Sequence, residues 1–300
     1  MRATRLPGRK FDLSQLVIVS MRLLAYLPLA WVRSLGYLLG RALYVLVPAR
    51  RHVTEVNLRL CFPSLNERDI NALARQVLVH FAQAWLDRSW LWHGREGVAR
   101  QRCQLLGDIG QLTGPGSVVI FSPHFVGLDA GWTALTQQLP CPFATIYTNQ
   151  ANRVMDRWIL AGRKRFGSHH LFGRADGVKP VLAALRQGER LYLLPDMNFG
   201  PHESVFVPFY DVPACTVPSL SRFARLGSAV VVPVVTRMTR SGYDVQVMPA
   251  WTDYPTSDST ADTALMNRRL QGFIDAMPSQ YYWVHKRFKD RPDGLPDFYG

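Results

Sequence analysis

The chain has 300 residues, 48% hydrophobic and 19% charged, an ordinary globular balance that can bury a core in one large domain or two small ones. Its cysteines, Cys61, Cys103, Cys141 and Cys215, form no C-x-x-C pair, which argues against a disulfide framework or zinc site and for free thiols in a reducing compartment. The net charge of +13, carried by arginine except at Lys10, Lys164, Lys179, Lys286 and Lys289, draws the chain toward a polyanion: nucleic acid, anionic lipid or an acidic carrier protein.

Residues 1–50 are basic and apolar. Asp12 is the only acid before Glu55, and the longest uncharged run in the apolar stretch, Leu23 to Val32, is ten residues where a span needs about 20. Arg22 interrupts the apolar run and no cleavage site follows, so a secretory signal fits poorly. Arg22 and Arg33 fall about 20° apart on a helix, with Arg41 further round the same side, and Pro28 should divide the segment. The expectation is one or two amphipathic helices in the membrane interface, arginines toward the headgroups. The alternative is a helical hairpin buried on the protein itself.

In "FPSLNERDINALARQVLVHFAQAWLDRSW", Ser64 and Glu67 have capping-box spacing. Ile70, Leu73, Val77, Leu78, Phe81 and Trp85 follow at helical spacing, with the aromatics read as core. From about residue 105, β-rich runs at 117–122, 143–147, 190–195, 229–235 and 243–248 alternate with helical stretches near 128–138, 152–166, 175–187 and 216–226. A further helix is expected at 260–277. This alternation predicts one α/β domain, residues 51–300, with a mixed central sheet flanked by helices.

"FSPHFVGLDAGW" puts His124 just past a strand and Asp129 in the first turn of the next helix. Functional groups collect at the carboxyl ends of strands in such sheets. A carboxylate able to reach the imidazole would fix its tautomer and stabilise the imidazolium. No G-x-S-x-G supplies a serine nucleophile, so the pair would activate a substrate hydroxyl; a histidine merely capping the turn is the alternative.

The stretches "NLRLCFPSLNERD", "SPHFVGLDAG", "GRKRFG", "PDMNFGPHESVFVPFYDVPACT" and "YYWVHKRFKDRPDGLPDFY" run in order from about residue 57 to the C-terminus. On these motifs the chain resembles the late acyltransferases of lipid A biosynthesis in Gram-negative bacteria, the lauroyl/myristoyl transferase family. That family in turn resembles the glycerolipid acyltransferases in fold and in its H-x-x-x-x-D/E motif. The resemblance implies acyl transfer from an acyl carrier protein thioester to a hydroxyl on a 3-hydroxyacyl chain of the Kdo-bearing lipid A precursor. It places the reaction at the cytoplasmic face of the inner membrane, with inner-membrane lipids around the protein and no metal or organic cofactor.

By the same resemblance His124 is the catalytic base and Asp129, where many relatives carry Glu, is its carboxylate partner. Arg163 matches the essential arginine, with Arg165 the competing candidate beside it. Asp196 matches the acid of the "PD…G" motif, expected to order the pocket or hold Arg163. Gly200 would permit a tight turn. His285, Lys286 and Arg287, with Lys289 and Arg291, form a basic patch suited to lipid phosphates or a carrier protein, or simply a solvated charge run. A non-catalytic basic protein binding membrane or nucleic acid is the competing class. The absence of any nucleic-acid-binding motif counts against its nucleic-acid form.

Overall fold

The computed structural model describes residues 13–300. Five helices come first: α1 (Leu13–Leu24), α2 (Leu29–Leu46), α3 (Pro48–Cys61), α4 (Glu67–His93) and α5 (Glu96–Arg102). Then follow β1 (Cys103–Gly107), α6 (Gly110–Thr113), β2 (Val118–Phe121), α7 (Leu128–Gln138), β3 (Phe143–Tyr147) and α8 (Arg153–Arg163). The chain continues with β4 (His169–Gly173), α9 (Val178–Arg186), β5 (Arg190–Leu193), β6 (Val205–Phe209) and β7 (Val212–Thr216). It ends with α10 (Ser219–Leu226), β8 (Val230–Met238), β9 (Tyr243–Val247), α11 (Ser259–Ala276) and an irregular tail.

Seven strands make one sheet in the order β1-β9-β8-β2-β5-β3-β4, and β6 and β7 form a separate antiparallel hairpin. Only β8 and β9 run antiparallel within the large sheet, so it is mixed, as expected. The central strands read as unbroken apolar runs because both faces are covered. In β2, Val119 and Phe121 enter one core with Leu185, Leu220 and Leu270, while Val118 and Ile120 enter the other with Trp90, Trp132 and Leu135. β1, β4, β6 and β7 lie outside the strand-like runs of the sequence. Edge strand β4 has no buried residue, so it carries no apolar run.

Pro28 does divide the apolar N-terminal segment, standing immediately before α2. α2 lies on α4 almost backbone to backbone: a Cβ on Gly40 would meet the Val79 Cα at 2.4 Å, and one on Gly36 the Gln83 Cα at 2.8 Å. Small residues four apart permit this approach. Arg33 departs from the expected outward row of arginines. Its guanidinium contacts the fully buried Asp87 carboxylate at 2.8 and 3.1 Å, and Asp87 also accepts from Tyr243 Oη at 2.6 Å and Trp90 Nε1 at 2.9 Å. Arg22 and Arg41 stay exposed. No helix among the described residues is long and apolar enough to cross a membrane.

The start of α4 also corrects the expected capping box. Leu65 N donates to Phe62 O in a turn that takes up Ser64, and Asn66 caps instead, its Oδ1 accepting from Asp69 N at 3.0 Å. Glu67 is bound twice by Arg59 at 2.8 Å, so its carboxylate is already engaged.

Candidate active site

β2 and β5 are parallel neighbours with Phe121 opposite Leu193, and His124 and Asp196 each stand three residues beyond that pair. The register therefore delivers the two side chains to one point at the carboxyl edge of the sheet. His124 Nδ1 lies 2.8 Å from Asp196 Oδ1, and the His124 backbone N–H donates to Oδ2 at 3.0 Å. Tyr281 Oη donates to the same Oδ2 at 2.9 Å, brought there by the tail: Tyr282 N donates to His124 O and Val126 N to Gln280 O. Burial pushes the Asp196 carboxyl up, but the imidazole and the three hydrogen bonds outweigh it and hold the group below its ordinary range. An ionised carboxylate only accepts, so Nδ1 carries the proton and Nε2 is the free basic nitrogen.

Asp129 does something else. It sits in the first turn of α7, 5% exposed, where its Oδ2 takes Arg88 Nε at 2.8 Å and its Oδ1 takes Arg163 Nε at 2.9 Å. Burial again pushes the carboxyl up, and the two guanidiniums bring it below the usual range. The sequence expectation for the two acids is thus exchanged: Asp196 holds the histidine and Asp129 holds Arg163. The reason is topological. Asp129 opens a helix that faces α4 and α8, whereas the β2–β5 pairing carries Asp196 to His124 from the opposite side.

His124, Asp129, Arg88 and Arg163 line one cavity of about 570 Å³, otherwise walled largely by apolar and aromatic side chains, Phe81, Trp85, Trp132 and Tyr282 among them. Phe81 and Trp85, expected as plain core, are therefore also cavity wall. Arg88 and Tyr281 were missed as functional residues. Arg88 lies on the helix face of Phe81 and Trp85, one turn on from Trp85, which was the signal available.

Other expected residues lie elsewhere. Arg165 donates from Nη1 to Leu91 O at 2.7 Å and from Nη2 to Gly94 O, closing the end of α4 rather than facing the cavity. Gly200 has φ +100 and makes the tight turn, next to Phe199 on the cavity wall. The basic tail is not one solvated patch. Arg287 is 1% exposed and donates to Cys215 O at 2.9 Å and Thr216 Oγ1 at 2.7 Å, while the Lys286 ammonium stands 5.1 Å over the Tyr299 ring. His285 is held down to about 4 by burial, then by nearby His124. Asn57 anchors this tail, donating from Nδ2 to Trp283 O and His285 O at 2.8 Å and accepting from Tyr299 Oη at 2.6 Å.

A carboxylate-held imidazole and paired arginines opening into a largely apolar cavity can place a basic nitrogen and positive charge beside an apolar ligand. Residues 4–290 match the family described as bacterial lipid A biosynthesis acyltransferase, and the chain belongs to that family. It is similar to the lipid A biosynthesis lauroyltransferase of Escherichia coli, 28% identical over 99% of this chain and 98% of that protein. It is also 31% identical to the E. coli lipid A biosynthesis myristoyltransferase, over 85% of this chain and 80% of that one. A Haemophilus influenzae lipid A biosynthesis acyltransferase is 29% identical over 91% and 86%. The protein is an acyltransferase of lipid A biosynthesis, with a lipid A precursor as acceptor.

Proposed function

We propose that the chain moves a fatty acyl group from an acyl carrier protein thioester to a hydroxyl on a 3-hydroxyacyl chain of the Kdo-bearing precursor, with His124 as general base. The observation that carries this is His124 at the cavity wall, held from behind through Nδ1 by the buried Asp196. Nε2 takes the acceptor proton, the alkoxide oxygen attacks the thioester carbon, and the C–S bond breaks as the tetrahedral intermediate collapses. The proton passes to the departing thiolate. Arg163 and Arg88 supply positive charge where the oxyanion develops, or clamp an acceptor phosphate. Asp129 keeps both guanidiniums at the cavity wall.

Residues 1–50 act as the membrane-associating part, at the cytoplasmic face of the inner membrane. The support is the outer face of α1, α2 and the turn between them, where Leu13, Tyr26, Trp31, Leu38 and Leu46 are each 64% exposed or more. Apolar side chains in that number on one layer mark an interaction surface. Sedimentation with anionic liposomes is the expected behaviour; protein that stays in the supernatant without detergent refutes it.

The reaction is tested by mass spectrometry after incubating detergent-purified protein with mixed acyl–acyl carrier proteins and the tetra-acylated Kdo-bearing precursor. Wild type should add one acyl mass, and His124→Ala should lose about 10²–10⁴-fold in kcat, the scale of a positioned base. No gain from folded wild type moves the acceptor to another lipid. Normal turnover in a folded His124→Ala protein removes the mechanism.

A further inference from the structure

A second groove, of about 390 Å³, lies between α1, α8 and the end of α4. Gln15, Ile18 and Arg22 line it from one face of α1; Val154, Arg157, Trp158 and Ala161 line it from one face of α8. The other face of α8 carries Ile159 and Arg163 into the first cavity, so one helix separates the two spaces. Asn152 Nδ2 ties the helices together by donating to Ser14 Oγ at 2.8 Å.

The charged groups in this groove are two guanidiniums, accompanied by the Gln15 amide and the His93 imidazole. Neither Arg22 nor Arg157 has a carboxylate partner among the described residues. Trp158 Nε1–H donates to His93 Nε2 at 2.8 Å, which makes Nε2 the acceptor and leaves the ring proton on Nδ1, pointing to a second donor. Trp92, only 6% exposed, contributes an indole N–H with no partner. Burial, then the charges of Arg22 and Arg165, push the His93 imidazolium down. Two guanidiniums lining one groove without a carboxylate partner, beside the His93 imidazole, describe an anion site, and the planar forks of arginine fit phosphate oxygens. Exposed Leu16, Val19 and Leu23 on the outer side of α1 set the groove beside the surface assigned to lipid.

We propose that the groove between α1 and α8 binds a phosphate group, that of a lipid headgroup at the membrane surface, at a site separate from the cavity of His124. The lipid source rests on the membrane reading above; the phosphate chemistry does not. Hydrogen exchange of 153–163 in the full chain reads occupancy, with phosphatidylcholine vesicles, the same vesicles containing phosphatidic acid, and inorganic phosphate without lipid as probes. Sedimentation is measured on each vesicle sample.

Phosphatidic acid vesicles should slow exchange in α8, and R22Q/R157Q should need about a hundredfold more of the lipid, roughly tenfold for each guanidinium removed. Arg240→Gln, which removes an exposed charge outside both the groove and the membrane-associating segment, should behave as wild type. Slowing by inorganic phosphate as well supports the site with free phosphate sufficient; slowing by vesicles alone supports the headgroup. If R22Q/R157Q and wild type both sediment and protect α8 equally, the site is refuted while the membrane reading stands. If wild type neither sediments nor responds to inorganic phosphate, both are refuted.

Discussion

Asp129 and Asp196 are chemically identical, both buried and both held below the ordinary carboxylate range, Asp129 at the cavity wall and Asp196 behind His124. Their neighbours give them different work. Asp196 receives one imidazole, one backbone N–H and one phenol. Asp129 receives two permanently charged guanidiniums. The first arrangement fixes a tautomer and leaves a base ready at Nε2. The second stores positive charge and aims it. A buried carboxylate in a recognised motif thus does not disclose its job; its partners do.

The contrast breaks most visibly in rate. Asp196→Asn keeps shape but no longer requires a proton on Nδ1, so we expect kcat to fall on the order of 10⁴-fold, the scale of a wrongly set histidine tautomer. The kcat pH profile should change with it, while Asp129→Asn should leave the profile's acidic limb, the one set by a general base, alone. A wild-type profile in Asp196→Asn would return the partner role to Asp129.

Stability sharpens the other half. Asp129→Asn strands two partly buried guanidiniums, and breaking such a pair costs about 3 kcal/mol, the low end for buried ion pairs because both arginines reach the cavity. The denaturant midpoint should drop accordingly, and Arg88→Gln, which leaves Arg163 its carboxylate, should drop it less. Equal midpoints for all three proteins would mean that the clamp carries no stability. Away from the site, Gly40→Ala should cost about 1–3 kcal/mol, because its Cβ would overlap the α4 backbone.

The sequence disclosed what is local or periodic. β2, β3, β5 and β8 and the helices between them announced themselves because both sheet faces are buried and the runs are largely apolar, and β9 by its alternation. His124 and Asp196 were each visible at a strand end. Their contact was not, since it depends on β5 inserting between β2 and β3, an order no local pattern encodes. Arg33 shows the same limit: its helical angle matched Arg22, but Asp87, a partner on another helix, turned it inward. Tyr281 and Arg287 belonged to a basic, aromatic tail whose solvated appearance dissolved once Asn57 and Thr216 supplied partners in the interior.

The smallest expected effect concerns His285, beside the base but outside its cavity. Its imidazole is lowered from 6.5 to about 4, first by burial and then by His124. Below about pH 6.5 the unfolded chain takes up a proton there while the folded chain does not until about 4, so this contribution is present above 6.5 and is lost as pH falls across that window. His80, His93 and His169, also lowered chiefly by burial, add slopes of the same sign. Asp129 and Asp196 do not overlap them: their contributions persist above the ordinary carboxylate range and are lost only lower, as pH falls through their depressed values. Thermal midpoints taken from pH 7 to pH 4 should therefore decline gradually for wild type and less steeply for His285→Gln. An unchanged slope in that variant would mean that His285 is protonated in the folded protein as readily as in the unfolded chain.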